Sequence, residues 1–518
     1  MRYGFVIDQN RCIGCHACTV ACKEEHQVPL GVFRTWVKYV EKGEYPHTSR
    51  HFGVMRCNHC DSAPCVTICP TQALYRRSDG IIDFDNQRCI GCKSCMQACP
   101  YDALYIDPNN NTAAKCNFCA HRVEANLEPA CVIVCPTQAI LAGDLDDPSS
   151  KVARTVVTQN VSVRKPEKGT EPKLYYVGIE RDLLRPARLS RQNGYAFADR
   201  HDQPPHHAKT ARVGDRDHHR PANAGFDPSV TREVYDVAHP APWGWKIAAY
   251  LWTKSIAAGV MMVAAIVMAG TGRPSMRSLS LASPMIALAA LAITMALLVF
   301  DLKRPDRFYY LLTKPNFRSW LVIGAYILMA FGALCVVWLL YAAFSSTVPD
   351  GVLLLTALLG AASACYSAFL FAQAKGRDFW QSKWIFCWQL LMQALVAGSA
   401  TLIIGMVIVD PTMPYVLGPI PSVLFMSLVL GLLALLLELV IPQRSQDAKR
   451  AQKTLLEGEL SRRFWFSAVG LGLVAPISLF LFSHPDPLAL AVGAVLVLYG
   501  LLWFEFLWVK AGQSVPLS

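Results

Sequence analysis

Sixteen closely spaced cysteines near the N-terminus are the feature that most limits how this chain can fold. The chain has 518 residues and 19 cysteines, and only Cys335, Cys365 and Cys387 lie outside the stretch from Cys12 to Cys135. A segment so dense in thiols folds around whatever those thiols bind. The four groups are Cys12, Cys15, Cys18 and Cys22; Cys57, Cys60, Cys65 and Cys69; Cys89, Cys92, Cys95 and Cys99; and Cys116, Cys119, Cys131 and Cys135.

The four groups form an internal duplication. Groups one and three share the run Cys-Ile-Gly-Cys, whereas groups two and four both end in Cys-Pro-Thr-Gln-Ala, at Cys69 and Cys135. In ferredoxin-type runs three close thiolates wrap one cluster and a fourth, usually followed by proline, reaches the neighbouring cluster. The sequence therefore predicts a duplicated ferredoxin-like domain with four [4Fe–4S] clusters. Proline follows the last cysteine of three groups, at Pro70, Pro100 and Pro136.

So many cysteines could alternatively bind zinc or form disulfide bonds. Structural zinc sites close with four ligands in two pairs and do not need a repeated three-plus-one spacing. Secreted disulfide scaffolds are small and follow a secretory signal. Here the N-terminal stretch reaches Cys12 without room for an apolar signal core or a twin-arginine segment. We therefore expect cluster-binding thiolates and no export signal in this region.

The cysteine region resembles the four-cluster ferredoxin subunit of molybdopterin oxidoreductases such as DMSO reductase, polysulfide reductase and formate dehydrogenase. The resemblance covers about residues 1–190. It implies that the partner is a separate molybdopterin-containing catalytic subunit, and it implies that groups one and four share one pair of clusters and groups two and three the other. The implied ligand sets are set a, Cys12, Cys15, Cys18 and Cys135; set b, Cys22, Cys116, Cys119 and Cys131; set c, Cys57, Cys60, Cys65 and Cys99; and set d, Cys69, Cys89, Cys92 and Cys95.

A flexible polar linker is predicted at 185–240, after a ferredoxin domain at 1–184. The linker is rich in Arg, Asp, His, Pro and Asn and has almost no apolar periodicity, so it cannot bury enough surface to fold alone. Before it, Lys173–Ile179 alternates as a strand that would end the ferredoxin domain. A metal-binding tract is an alternative interpretation of its histidines, which we do not adopt: His201, His206, His207, His218 and His219.

Eight apolar runs fill the remainder of the chain, 241–518, and each is long enough to cross the hydrocarbon core of a membrane. The predicted fold is therefore multidomain, with an α+β ferredoxin-like domain followed by an all-α bundle of eight transmembrane helices. An even number of spans places both ends of the bundle on one side. The predicted spans lie near 246–270, 280–300, 319–344, 351–373, 384–409, 420–441, 464–482 and 487–509.

Basic residues in the loops predict the orientation, because cytoplasmic loops carry the excess of Lys and Arg. The opposite loops carry only Arg273 and Arg277. We expect an inner-membrane protein with the ferredoxin domain and both termini in the cytoplasm; export with a twin-arginine partner is the alternative. The net charge of +11 has no nucleic-acid recognition motif beside it, so nucleic-acid binding is not predicted. Fourteen basic residues lie in loops on the ferredoxin side: Lys303, Arg304, Arg307, Lys314, Arg318, Lys375, Arg377, Lys383, Arg444, Lys449, Arg450, Lys453, Arg462 and Arg463.

The electron carrier that the spans bind is predicted to be a quinone, either menaquinone or ubiquinone. After His239 the sequence has only His484, in a far-side loop, so bis-histidine haem is not expected. No Gly-x-Gly-x-x-Gly unit joins a strand to a helix, so neither NAD nor flavin is expected. Electrons from the clusters then need a carrier dissolved in the bilayer.

Polar residues inside the spans mark a candidate site in the leaflet beside the ferredoxin domain, because intramembrane polar groups usually face a cavity or pathway. The alternative is that lysine and glutamate side chains snorkel to the interface and that glutamines join helices. The residues are Tyr250 and Lys254 on one face of the first span, Gln389 and Gln393 on one face of the fifth, Glu438 in the sixth and Glu505 in the eighth.

The membrane half resembles the eight-helix subunit of polysulfide reductase and of the nitrite-reductase accessory quinol dehydrogenase, the NrfD/PsrC family, over about residues 240–518. The motifs are Asp301-Leu-Lys-Arg-Pro-Asp-Arg-Phe308, Pro315-Asn-Phe-Arg-Ser-Trp320 and the run that begins at Trp245. This family lacks haem, and the resemblance implies a quinone site beside the ferredoxin part, with Asp301 and Arg304 organising the junction. The expected quinone-site residues are Tyr250, Lys254, Asp301, Arg304, Gln389 and Glu438.

Together these features predict the electron-transfer subunit of a quinone-linked oxidoreductase. The chain would carry out the quinone half-reaction, while substrate chemistry would occur on the molybdopterin subunit. Two alternatives stay open. In the first, the helices are only a passive anchor for the ferredoxin domain. In the second, they form a redox-driven proton-translocating module that resembles those of alternative complex III.

Overall fold

A computed structural model shows an α+β domain seated on one end of a bundle of long apolar helices, and the predicted fold class is confirmed. The structure describes residues 1–44, 46–190, 231–271, 277–345, 347–409, 419–441, 443, 445–482 and 486–518. The central part of the predicted linker with its histidines lies outside these ranges, as do Arg273, Arg444 and His484.

The ferredoxin-like domain is built on a four-stranded sheet in the order β8-β1-β10-β9. Its central strand β1 runs parallel to β10 and antiparallel to β8, and its apolar residues are buried. A long β2–β3 hairpin and two short hairpins, β4–β5 and β6–β7, carry the cysteine loops. The strands are β1 Tyr3–Asp8, β2 Thr35–Glu44, β3 His47–Arg56, β4 Leu74–Arg76, β5 Ile82–Phe84, β6 Leu104–Ile106, β7 Ala113–Lys115, β8 Ile140–Asp144, β9 Val161–Ser162, β10 Leu174–Val177 and β11 Arg232–Tyr235.

The duplication inferred from the cysteine groups is visible in the backbone. Gly14 and Gly91, in the two Cys-Ile-Gly-Cys runs, have φ angles of 70° and 68°, which favour glycine. His16 and Lys93, two residues further on, have left-handed φ angles of 61° and 63° just before a helix. The helices are α1 Ala17–Glu25, α2 Pro64–Ile68, α3 Ser94–Ala98, α4 Ala120–Glu124, α5 Ala130–Ile133, α6 Lys151–Thr158 and α7 Arg181–Leu184.

Both ends of the predicted linker belong to the folded domain, which differs from the boundaries expected at 185 and 240. A turn of 3₁₀ helix covers Pro186–Arg188, and Ser190 bridges to Arg232. Strand β11 then pairs with β2 of the long hairpin. Composition alone missed these ends because their order comes from pairing with a distant edge strand and not from local apolar periodicity.

Eight helices in the described part of the chain are long and apolar enough to span a membrane. A helix of 27 residues is about 40 Å long, enough to cross a hydrocarbon core of about 30 Å. Their bounds agree with the predicted runs to within four residues. The spans are Trp245–Gly270, Arg277–Asp301, Trp320–Phe344, Asp350–Gln373, Lys383–Val409, Pro419–Val440, Ser461–Leu481 and Pro487–Gln513.

The first span lies at the centre of the bundle, where it packs against the second, fourth, fifth and eighth spans. It crosses the fifth span at Gly259 and Gly398, so closely that a Cβ on Gly259 would lie 1.7 Å from the carbonyl oxygen of Ala394. Small residues permit such close helix contact. In the seventh span, Phe464–Val474 form a π-helix, a rare form that is frequent at functional sites.

Candidate functional site

The structure gathers the sixteen N-terminal cysteines into four groups whose membership is that of sets a to d. Cys12, Cys15, Cys18 and Cys135 line one cavity. Cys69, Cys89, Cys92 and Cys95 line another. In set b Cys22 faces its three partners, and in set c Cys65 faces its three. Residues that are up to 123 positions apart in the sequence thus meet in one site.

The chemistry of these sets fits an iron–sulfur cluster. Backbone N–H groups donate to the thiols, from Gly91 and Ala113 to Cys89 Sγ at 3.4 Å and from Ala139 to Cys135 Sγ at 3.2 Å. Burial and the neighbouring thiols of set b raise the pKa of Cys119 to about 12, and a cationic group bound between the thiols would hold them as thiolates. In the described residues no three His, Cys, Asp or Glu side chains are close enough to hold one metal ion.

The four sets form a row in the order a, b, c, d. Cys18 of set a lies within electrostatic range of Cys131 of set b. Cys116 of set b lies within electrostatic range of Cys57 of set c. Cys65 of set c lies within electrostatic range of Cys95 of set d. Set a therefore lies at the far end of the domain and set d at the other end.

Arg56 is a buried cation between sets a and b that sequence reasoning did not identify. It is fully buried, its Nη1 donates to Cys131 Sγ at 3.0 Å, and its guanidinium lies 4.6 Å from the centre of the Phe5 ring. Burial alone would lower the pKa of Arg56, but the thiolates of Cys131, Cys116 and Cys18 raise it above its ordinary value. The only signal in the sequence is a basic residue directly before Cys57.

Main-chain carbonyl groups around set d are the acceptors that join the two domains. Asn316 Nδ2 donates to the carbonyl oxygen of Cys69 at 2.8 Å, and Arg307 Nη1 donates to that of Cys89 at 3.1 Å. Further donors from the membrane domain follow the same pattern: Ser319 Oγ to Ile68, Trp243 Nε1 to Cys92, Lys303 N to Gly91 and Arg304 N to Ile90. Set d is thereby fixed against the bundle.

Side chains complete this junction. Lys93, inside the third cysteine group, forms an ion pair of 2.9 Å with Asp301 at the end of the second span. Gln97 accepts from Arg377 Nε at 2.8 Å and donates to Gln513 Oε1 at 2.6 Å. Lys93, Gln97, Arg377 and Gln513 were not expected from the sequence, although the position of Lys93 between cluster cysteines is a signal that was available.

A group of polar side chains around Lys254, named the Lys254 pocket below, is packed inside the bundle beneath set d. Lys254 is buried, and its Nζ donates to the carbonyl oxygen of Ala364 at 3.0 Å and to Ser367 Oγ at 2.6 Å. Tyr250, one turn earlier in the same span, lies in electrostatic range of Asp301 and Glu505. Four aromatic rings pack against one another in the same apolar cluster as Tyr250: Trp243, Phe371, Trp380 and Trp508.

The other residues expected at a quinone site lie elsewhere. Arg304 is at the junction, where its side chain pairs with Asp306 and does not enter the pocket. Gln389 and Gln393 line a cavity between the fifth, sixth, seventh and eighth spans. Glu438 is half-buried in the sixth span and is not among the residues that line that cavity. The structure therefore brings Tyr250, Lys254 and Asp301 together and separates the other three.

Three family models match the chain. A 4Fe–4S binding domain matches residues 3–24, and a 4Fe–4S dicluster domain matches residues 49–145. A model described as polysulphide reductase, NrfD matches residues 233–516.

Similar proteins include components of reductases, each matched over about a third of this chain. The B subunit of tetrathionate reductase from Salmonella typhimurium is 47% identical over 36% of this chain and 76% of the relative. The thiosulfate reductase electron transfer subunit PhsB of Salmonella typhi is 45% identical over 31% of this chain and 84% of the relative. Protein NrfC of Escherichia coli is 44% identical over 34% of this chain and 81% of the relative.

Proposed function

Because this protein belongs to the polysulphide reductase NrfD family and also contains 4Fe–4S domains, we propose that it relays electrons between a separate molybdopterin-containing catalytic subunit and the membrane quinone pool. The observation that carries this proposal is the position of set d, whose loop is held by the membrane domain above the Lys254 pocket. An electron path that ends at a buried polar pocket in a bilayer needs an acceptor that the bilayer dissolves.

We propose one [4Fe–4S] cluster for each of sets a, b, c and d, ligated by the cysteines of that set. When bound, the clusters would supply one-electron carriers. The protein's part is to hold the thiols in a row, to place amide N–H groups and Arg56 beside the sulfurs, and to fix set d at the membrane.

The catalytic subunit would bind at the set a end of this row. Ile13, within the first cysteine group, is 58% exposed, and Ile133, two residues before Cys135, is 56% exposed. Large apolar side chains beside a redox centre favour a protein interface over bulk water. The names of the relatives, which include a subunit of tetrathionate reductase and an electron transfer subunit of thiosulfate reductase, support a separate catalytic partner.

The quinone site would be the pocket of Tyr250, Lys254 and Asp301. The ammonium of Lys254 and the hydroxyl of Tyr250 are donors that would orient a quinone carbonyl group and transfer a proton to it or from it. Asp301, through Lys93, would hold the cluster loop in register with the first span. The aromatic rings in the same apolar cluster as Tyr250 would exclude bulk water.

The test is reoxidation of chemically reduced clusters by a menaquinone or ubiquinone analogue, followed by EPR in the purified full-length protein. We expect rapid reoxidation in the wild type and a rate about 100-fold lower in Lys254→Met, because a general acid in the pocket is lost. Lys246→Met is the matched control, since Lys246 lies eight residues earlier in the same span, and the exposed Nζ donates to the carbonyl oxygen of Phe300.

A wild type that stays reduced with every quinone would overturn the proposal and favour the passive anchor. Equal rates in Lys254→Met and Lys246→Met would retain a quinone reaction but exclude this pocket as its site.

A further inference from the structure

An intramembrane cavity lies away from the junction, between the fifth, sixth, seventh and eighth spans. Its space for water-sized molecules is about 50 Å³. Most of its wall is apolar, and the π-helical part of the seventh span supplies Ala468, Gly472 and Leu473. The polar residues of the wall are Gln389, Gln393 and Ser427.

The amide oxygens in this cavity lack the hydrogen bonds that buried polar groups require. Gln389 and Gln393 are both buried, and within the described residues neither Oε1 atom has a hydrogen-bond partner. Ser427 uses its hydroxyl hydrogen on the carbonyl groups of its own helix. Two unpaired acceptors in a cavity of this size are best satisfied by water, the smallest donor available.

Glu505 lies at the same depth as Gln389. The rings of Phe386 and Trp508 stack with their centres 3.8 Å apart, and the fifth and eighth spans run in opposite directions. Gln389 follows Phe386 by three residues and Glu505 precedes Trp508 by three, so both lie one turn deeper in the bundle. Leu501, one turn from Glu505 on the same helix face, lines the cavity.

On its other side Glu505 faces the quinone pocket. The Glu505 side chain is fully buried, and in the described part of the chain neither carboxyl oxygen has a hydrogen-bond partner. Lys254 is its charged neighbour. A buried carboxyl group without a hydrogen bond is costly unless water reaches it, and a carboxyl group is the kind of side chain that passes protons.

We propose that the cavity of Gln389 and Gln393 is a water-binding site that supplies protons to the quinone pocket through the carboxyl group of Glu505. The inference rests on the proposed quinone function. Reduction of one quinone takes two electrons from the clusters and two protons. Each proton leaves the Glu505 carboxyl group for the pocket at Lys254, and the carboxylate takes a replacement through the cavity water, which relays protons from the aqueous phase and is itself left unchanged. Quinol oxidation runs the same transfers in reverse.

The test combines cluster reoxidation kinetics with redox-induced infrared difference spectra of the full-length protein in liposomes, with a menaquinone analogue as acceptor. We expect a carboxyl C=O band that shifts in D₂O, disappears in Glu505→Gln and returns at a shifted frequency in Glu505→Asp. Reoxidation should be about tenfold slower or more in Glu505→Gln and in Gln389→Leu combined with Gln393→Leu. Thr356→Val changes a buried polar residue of the fourth span that belongs neither to the cavity nor to the quinone pocket, and it should leave the reoxidation rate unchanged.

A wild-type rate and an unchanged band in Glu505→Gln would overturn the inference while the quinone function stands. Failure of the wild type itself to be reoxidised would instead overturn the proposed function. Cluster absorption in every variant identifies proteins that fold with their clusters and are therefore valid for comparison.

Discussion

Single charged side chains set the electrostatic environment of the thiol sets. Arg56 is a cation directly beside sets a and b, and its full burial shields it from screening by bulk water. A positive charge beside a cluster stabilises the reduced form, which carries one more electron. The strand β3 that carries Arg56 also carries Arg50, whose guanidinium pairs with Glu41 at the exposed end of the hairpin.

We therefore predict that Arg56→Met lowers the reduction potential of the clusters in sets a and b by about 60 mV or more, equivalent to a tenfold change in a one-electron equilibrium. EPR-monitored redox titration measures this change. Arg56→Lys should restore most of the potential, and Arg50→Met should leave it unchanged. A potential that stays constant in Arg56→Met would show that the guanidinium has only a packing role.

The grouping of the cysteines was predictable at this scale, whereas their charged neighbours were not. Cysteine spacing is a local signal, because three thiols on one short loop wrap one cluster. Arg56 reaches Cys131 only because the fold brings the end of strand β3 beside the fourth cysteine group. The Lys254 pocket was predictable only in part. The sequence shows that Tyr250 and Lys254 share a helix face, but the contact of Lys254 with Ser367 depends on how the spans pack.

At the scale of elements, His239 joins three segments that are remote in sequence. Its Nδ1 lies 2.9 Å from Asp102 Oδ2, and its Nε2 lies 3.0 Å from the hydroxyl oxygen of Ser518 near the C-terminus and 3.7 Å from Asp236 Oδ1. Burial alone would lower the pKa of His239, but Asp102 and Asp236 raise it to about 9. The residues that precede the first span are thus held to the ferredoxin domain and to the C-terminus by an imidazolium.

This pKa predicts how stability depends on pH. A group whose pKa is raised above its unfolded value of about 6.5 stabilises the fold fully below that pH and loses this effect as the pH rises through about 9. Between pH 7 and pH 10 the loss is roughly 2–3 kcal/mol. The difference in Tm between wild type and His239→Gln should therefore shrink over this range. A difference that is independent of pH would contradict the assignment.

The whole molecule presents its basic loops on the side of the ferredoxin domain. The loops after the second, fourth and sixth spans all lie there, and the first two contact the domain directly, through Arg307 and Arg377. By the positive-inside rule this side should be cytoplasmic. That orientation is a prediction about the cell and not a property of the fold.

Labelling with a membrane-impermeant maleimide tests this orientation of the protein in the membrane. Asp350→Cys, exposed at the start of the fourth span, should react in intact cells, whereas Lys449→Cys, exposed between the sixth and seventh spans, should react only in inverted membrane vesicles. The wild type supplies the background from native thiols. The reverse pattern would place the clusters outside the cytoplasm.

The sequence predicted the architecture at this scale because both of its signals are strong and local. Both family resemblances are confirmed, as are the eight spans. The ends of the linker were missed because their structure comes from pairing β11 with β2. The depth at which Glu505 meets Gln389 also required three-dimensional packing, since it depends on one stacked pair of rings.

The junction contacts the ferredoxin domain largely through its peptide backbone. Asn316, Arg307, Ser319 and Trp243 all donate to carbonyl oxygens of the cluster loops, and these groups are the same whatever side chains the loops carry. In evolutionary terms, a ferredoxin subunit with the same loop conformation could replace this one with few matched surface mutations, chiefly at Lys93 and Gln97. Gene fusion then joins two parts that already fit, and the loops are free to diverge in sequence while docking persists.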